Sequence, residues 1–332
     1  MRFTDVFGQE AAKRNLKLAI QKKKMSHAYI LNGEPGLGKH RLAEAFAAAL
    51  LCEGGGEEAC GECRNCRRIS QKNHPDVKWI SHEEKKSTVS VDQIRSEITS
   101  DVMMRPYESE YKLYMISNAE KLGREAQNAI LKTIEEPPKY AIIFLLSDNI
   151  NGLLPTVRSR CVTINLLPET NGAIRQRLLD HHPEASPERI DMATAYALGN
   201  IGKAEGLIAD EDFIAMANEA LELVKGIPDY SDARILSAAR HIGTDYKDRL
   251  SEFLDLLEVW YRDVLLYKAT EEAGYLMLGK KGYEVRQQAK NGEYVGLGDI
   301  LDAIALARMR QNANVSAQTV AEQLLFTIKE SI

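Results

Sequence analysis

A chain of 332 residues is longer than one ordinary core can serve and calls for two or three domains. Its 44% hydrophobic and 27% charged residues are those of a soluble globular protein, and 43 basic against 48 acidic side chains (net charge −5) exclude a protein that coats nucleic acid by bulk electrostatics. The longest apolar runs, such as "YAIIFLL" at 140–146, are too short to span a bilayer, and no basic stretch leading into an apolar segment opens the chain, so a cytoplasmic protein without membrane contact is expected.

"QKKK" at 21–24 reads as a solvated helix end. "HAYILNG" then forms a strand that runs into a glycine-rich turn and the alanine-rich helix "RLAEAFAAALL". Gly33, Gly38 and Lys39 fit G-x-x-x-x-G-K-S/T, a loop whose backbone N–H groups cradle phosphates while the lysine neutralises the outer ones. His40 stands where that motif needs a hydroxyl to hold Mg²⁺, an ion that prefers hard oxygen ligands to imidazole. Next, Cys52, Cys60, Cys63 and Cys66 form a C-x7-C-x2-C-x2-C array, with glycines at 54–56 and 61 that let the chain fold tightly. In a cytoplasmic chain two successive C-x2-C steps point to a closed, structural Zn²⁺ site rather than disulfides. Cys161, at the head of the apolar run "CVTINLL", reads as a buried thiol.

Further short strands follow at "DVKWIS", "YKLYMIS" and "YAIIFLLS". Between them lie helical patterns at 89–102 and 123–138, the latter with Ala126, Ile130 and Ile134 on one face and a Pro137-Pro138 stop. The alternation predicts a parallel sheet with helices on both faces, an α/β P-loop domain carrying the cysteine array as an insertion. The strand that should hold the Mg²⁺-orienting acids ends in Ser117-Asn118, with Glu120 two residues on. One hydroxyl and two carboxylates are thus missing from a single pocket, and hydrolysis by this chain is not expected.

After Leu167 the pattern is helical throughout. "SPERIDMATAYALG" has Ser186 placed as N-cap, Pro187 at the first helical position and Gly199 at the C-terminal stop. Leu250, Phe253, Leu254, Leu257, Tyr261 and Val264 form one apolar stripe, and two more helical segments close the chain.

The stretches "FTDVFGQEAAKRNLKLAI", "SHAYILNGEPGLGK", "NAILKTIEEPP", "LLPTVRSRC" and "NANVSAQTVAEQLL", together with the four cysteines, resemble the clamp-loader branch of the AAA+ ATPases over nearly the whole chain. The resemblance implies an AAA+ domain at 1–167 (zinc module about 52–66), a small helical lid at 168–212 and an all-α collar for oligomerisation at 213–332. From the residues alone Arg160 is a surface arginine or a cap for the helix ending at "TVRSR". The resemblance makes it an arginine finger acting in trans on ATP held by a neighbour. It also puts Gly202, followed by Lys203, at a sensor-arginine position and a first sensor at Ser147 or Asp148. Gly33, Gly38, Lys39, His40, Ser117, Asn118 and Lys203 then form a degenerate site with weak or no ATP/Mg²⁺ binding. The partners implied are delta and the ATP-hydrolysing tau/gamma subunits in a pentameric ring, and through it the sliding clamp and primed DNA. Two alternatives stay open: an active gamma-type ATPase, and a zinc-dependent DNA-binding module using the "RNCRR" flank.

Overall fold

The computed structural model describes residues 1–81, 91–272, 276–278 and 282–332, and these divide into two compact units, Met1–Glu169 and Thr170–Ile332.

The first unit is built on five strands, β1 (Ala28–Asn32), β2 (Val77–Ile80), β3 (Lys112–Ile116), β4 (Ala141–Ser147) and β5 (Val162–Asn165). They pair in parallel in the order β2-β3-β4-β1-β5, with Ile30 opposite Leu145 and Asn32 opposite Asn165. Successive side chains leave opposite faces of a strand, and here both faces are dry, which is why the strands read as continuous apolar runs. Tyr29, Leu31, Met115, Phe144 and Leu146 pack on one side with Leu16 and Ile20 of α1 (Glu10–Gln21), Leu42 and Phe46 of α2 (Lys39–Leu50) and Ile69 of α3 (Arg64–Ser70). Ile30, Tyr114, Ile116, Ile143 and Leu145 pack on the other side. There they meet Ile94 of α4 (Val91–Ile94), Ile98, and Ala126, Ile130 and Ile134 of α5 (Arg124–Glu135). The parallel α/β sheet and the apolar face of α5 are as the pattern predicts.

Two elements differ from expectation. The helix expected over 89–102 begins at residues 89 and 90, which lie outside the described residues. From Val91 it runs as α4, then as a wider π-turn over Arg95–Ser100. Strand β5 was not foreseen, because at the sheet edge Val162, Thr163 and Asn165 are exposed and only Ile164 turns inward. Cys161, expected buried, is only partly covered, although its surroundings still push the thiol up to about 12 by desolvation.

In the first unit α6 (Pro155–Arg158) leads into β5; the second unit is helical, and α7 (Asn171–His181) opens it. Then come α8 (Pro187–Ala197), α9 (Ile201–Ala209), α10 (Glu211–Gly226), α11 (Asp232–Asp245), α12 (Leu250–Thr270), α13 (Gly282–Asn291), α14 (Tyr294–Asn312) and α15 (Ala317–Ser331). Ser186 caps α8 by accepting from the Arg189 N–H at 3.3 Å, and the chain leaves that helix through left-handed Leu198 (φ 53°) and Gly199 (φ 81°). All six residues of the predicted α12 stripe are buried, with Trp260 and Tyr261 among the largest enclosed side chains. Among the described residues no helix is long and apolar enough to cross a membrane.

Candidate nucleotide site, cysteine cluster and arginine

β1 delivers the chain into the loop 33–38, and Gly38 (φ 94°) starts α2 from a left-handed conformation that disfavours any side chain. Gly38 offers no capping group, so no side chain accepts from the first turn of α2. Lys39 follows and is 5% exposed. Its Nζ donates to the carbonyls of Gly33 and Glu34 and lies 2.6 Å from Asp148 Oδ1 just beyond β4. The Asp148 backbone is itself held, its N–H donating to Glu120 Oε2 at 3.1 Å. Ser147, the other first-sensor candidate, is fully buried and accepts from the Asn149 N–H, so Asp148 is the one that faces the loop lysine. The loop lysine thus has a carboxylate partner within its own domain.

His40 is exposed at the start of α2, yet its ring has partners on neighbouring elements. Its Nε2 lies 2.9 Å from Ser117 Oγ, and its ring stacks on Trp79 at 6.1 Å between centroids. Desolvation, helped by the positive charge of Lys39, lowers its pKa from the ordinary value. That direction disfavours the protonated imidazole that would pair with phosphate by charge. Asn118 adopts a left-handed turn (φ 50°) and leads into the short helix bearing Glu120. The structure thus brings Gly33, Lys39, His40 and Ser117 to one end of the sheet, where parallel-sheet crevices form.

Arg160 lies just past α6, 40% exposed, with Nε 2.9 Å from Glu135 Oε1 at the end of α5. Its Nη1 donates to the Thr156 carbonyl at 3.0 Å, while Nη2 has no partner among the described residues. The segment before α6 is fixed by buried Gln127, which donates to the Leu122 and Gly152 carbonyls and accepts from the Leu154 N–H at 2.7 Å. Gln127 and Glu135 were not singled out from the sequence. A polar residue on the buried face of α5, one position from Ala126, is the signal that marks Gln127.

In the second unit Lys203 Nζ lies 2.6 Å from Asp255 of α12, a carboxylate also paired with Arg308 at 2.6 Å. The lysine one residue past the expected sensor position, which Gly202 occupies, is committed to the packing of α9 on α12.

The four array cysteines converge, all sulfurs within 4.8 Å of one another. Cys52 Sγ accepts from the Cys60 N–H, Cys60 Sγ from those of Glu62 and Cys63, and Cys63 Sγ from Cys66. The bonds from Glu62 and Cys63 draw the Cys60 thiol down to about 6, toward the thiolate that metal ligation requires. Gly61 (φ 82°) turns the chain between the ligands, and a Cβ there would sit 3.3 Å from the Arg2 guanidinium. Four convergent sulfurs of this kind could bind a metal ion and would close its coordination sphere. The basic flank is less available than its sequence suggests: Arg64 and Arg68 both pair with Glu108, at 3.2 and 2.8 Å.

A parallel sheet, a glycine-rich loop and a lysine opening α2 define a P-loop-type α/β domain. Residues 8–170 match the family model described as "DNA polymerase III, delta subunit", a match consistent with a clamp-loader subunit. It is similar to DNA polymerase III subunit delta' of Bacillus subtilis, 28% identical over 94% of this chain and 93% of that one. The delta' subunit of Escherichia coli is 30% identical over 65% of this chain and 64% of its own length. Subunit tau of Bacillus subtilis is 31% identical over 80% of this chain, which spans only 50% of that longer protein.

Proposed function

We propose that this chain is the delta-prime type, non-hydrolysing scaffold subunit of a DNA polymerase III clamp loader, working in the cytoplasm during DNA replication. It takes an end place in a pentameric ring beside delta and tau/gamma and helps ATP-driven loading of the sliding clamp on primed DNA. The observation that carries this reading is the state of its nucleotide pocket: Lys39 paired with Asp148, and His40 bonded to Ser117 where a metal-binding hydroxyl and an acid would stand. Such a pocket lacks the hydroxyl at 40 and the acids at 117 and 118 that would hold Mg²⁺ and orient water.

Its contribution to turnover is Arg160, which reaches the phosphates of ATP bound by a neighbouring subunit and stabilises charge in transfer, an effect on the order of 10³ to 10⁵ in rate. The free Nη2 edge and the exposed position of Arg160 support that role. The cysteine cluster holds a structural Zn²⁺, and the chain divides functionally into the AAA+ domain (1–167), lid (168–212) and collar (213–332). The pairing of Lys39 argues against a gamma-type ATPase, and Glu108 on Arg64 and Arg68 against a DNA-binding zinc module.

The test is ATP turnover by the chain alone, then with tau/gamma, delta, clamp and primed DNA, comparing wild type with Arg160→Ala. Silence alone, turnover in the assembly and a large loss with Arg160→Ala support the reading. Turnover by the isolated chain that Lys39→Ala abolishes overturns it.

A further inference from the structure

We propose that Asp148 decides what this P-loop binds: its carboxylate serves Lys39 as a built-in anion, and by doing so keeps diphosphate groups out of a loop otherwise shaped to take them. The inference does not depend on any role in an assembly.

The loop keeps the backbone that anion binding needs. Gly36 (φ 92°) and Gly38 (φ 94°) hold the left-handed turns, and α2, twelve residues long, begins without a side-chain cap. Its positive end and first-turn N–H groups are therefore directed at the loop. The lysine, 5% exposed, cannot remain without a negative partner, since a buried unpaired ammonium is costly. Two loop carbonyls supply hydrogen bonds, but among the described residues only Asp148, at 2.6 Å, supplies charge. Asp148 is also fixed in place, because Glu120 Oε2 accepts its N–H. An entering phosphate must displace this carboxylate and then lie beside it, two anions competing for one ammonium.

Loss of Mg²⁺ affinity and loss of phosphate affinity are then separate properties with separate causes. His40 and Ser117 account for the first and Asp148 for the second. Neutralising Asp148 should open the loop to a diphosphate anion without Mg²⁺, because no metal-binding group is restored by that change.

The experiment is thermal unfolding of the full chain with and without millimolar inorganic pyrophosphate in EDTA-free, magnesium-free buffer, read beside ³¹P line broadening of the pyrophosphate. Wild type should show no shift. Asp148→Asn should be less stable without anion and rise by about 3 °C or more with it, as linkage requires of a ligand that binds only the folded state. Asp148→Ser, smaller and also neutral, repeats the measurement should the amide variant fold poorly, and Lys39→Ala in either background should remove the shift. An equal shift in wild type overturns the proposal, since Asp148 would then exclude nothing. Absence of any shift or broadening in both neutral variants overturns it equally, since the loop would then have no appetite for the anion.

Discussion

His40 Nε2 and Ser117 Oγ lie 2.9 Å apart, so the side chain at the hydroxyl position of the P-loop and the one at the acid position beside it satisfy each other. Reinstating one group therefore restores no metal site. His40→Thr alone is expected to leave the isolated chain without ATP turnover at saturating Mg²⁺ and ATP, because the carboxylates at 117 and 118 are still missing and Lys39 still faces Asp148. Turnover by that single variant would falsify this account of the pocket.

Acid sensitivity should trace to His74. Its side chain is 3% exposed and its Nδ1 accepts the Asp76 N–H at 3.1 Å, which requires the neutral ring. Burial lowers its pKa below the ordinary histidine value, against an opposing pull from Asp76. The unfolded chain then binds the proton more readily, so this stability is complete above the unfolded pKa of about 6.5 and is lost as pH falls through the folded value. Urea titrations from about pH 7.5 down to about pH 5 should show wild type losing more stability than His74→Asn, whose amide oxygen can accept the same N–H. Parallel losses in both proteins would show that the acid response lies elsewhere.

The cysteine cluster should carry about one zinc per chain by elemental analysis. Cys63→Ser should release it and destabilise the first unit by on the order of 3 kcal/mol or more, since binding energy at a structural site is folding energy. The effect reaches the start of the chain, because Glu58 in the same module accepts from the Phe3 N–H at 2.6 Å and pairs with Lys17 of α1 at 2.6 Å. Full-length protein free of metal, yet as stable as the wild type, would remove the ion from the fold.

Glu135 should matter only through Arg160. It grips Nε, the Thr156 carbonyl grips Nη1, and the remaining edge is presented outward. With the pair 40% and 45% exposed, its worth for stability is small, and its effect belongs to orientation. In the reconstituted assembly Glu135→Gln should lower kcat about threefold or more with KM for ATP unchanged, and should add nothing to Arg160→Ala. A further loss in the double variant would mean that Glu135 acts independently of the arginine.

Much of this was legible in the residues. Apolar runs at 28–31, 113–116 and 141–146 are strands because both faces of the sheet are covered, and covered strands are apolar along most of their length. Strand β5 was not, since an edge strand with one inward residue carries no such signal. Cysteine spacing sufficed for the cluster, because short C-x2-C steps leave the sulfurs little room to diverge. Ion pairing was out of reach: nothing in the sequence matches Lys39 to Asp148, Arg160 to Glu135 or Lys203 to Asp255, residues brought together only by the packing of separate elements. His40 shows the same limit, since its partner Ser117 lies 77 residues away.

The Lys39–Asp148 pair gives the domain an evolutionary ratchet. On the proposed reading, a lineage turning to hydrolysis would need a hydroxyl at 40, acids at 117 and 118 and a freed lysine, and no one of these restores turnover alone. The first step that frees Lys39 strands a buried charge, so selection for stability opposes it before catalysis can reward it. Sequences descended from this one should therefore drift at these positions while keeping the lysine and its carboxylate together.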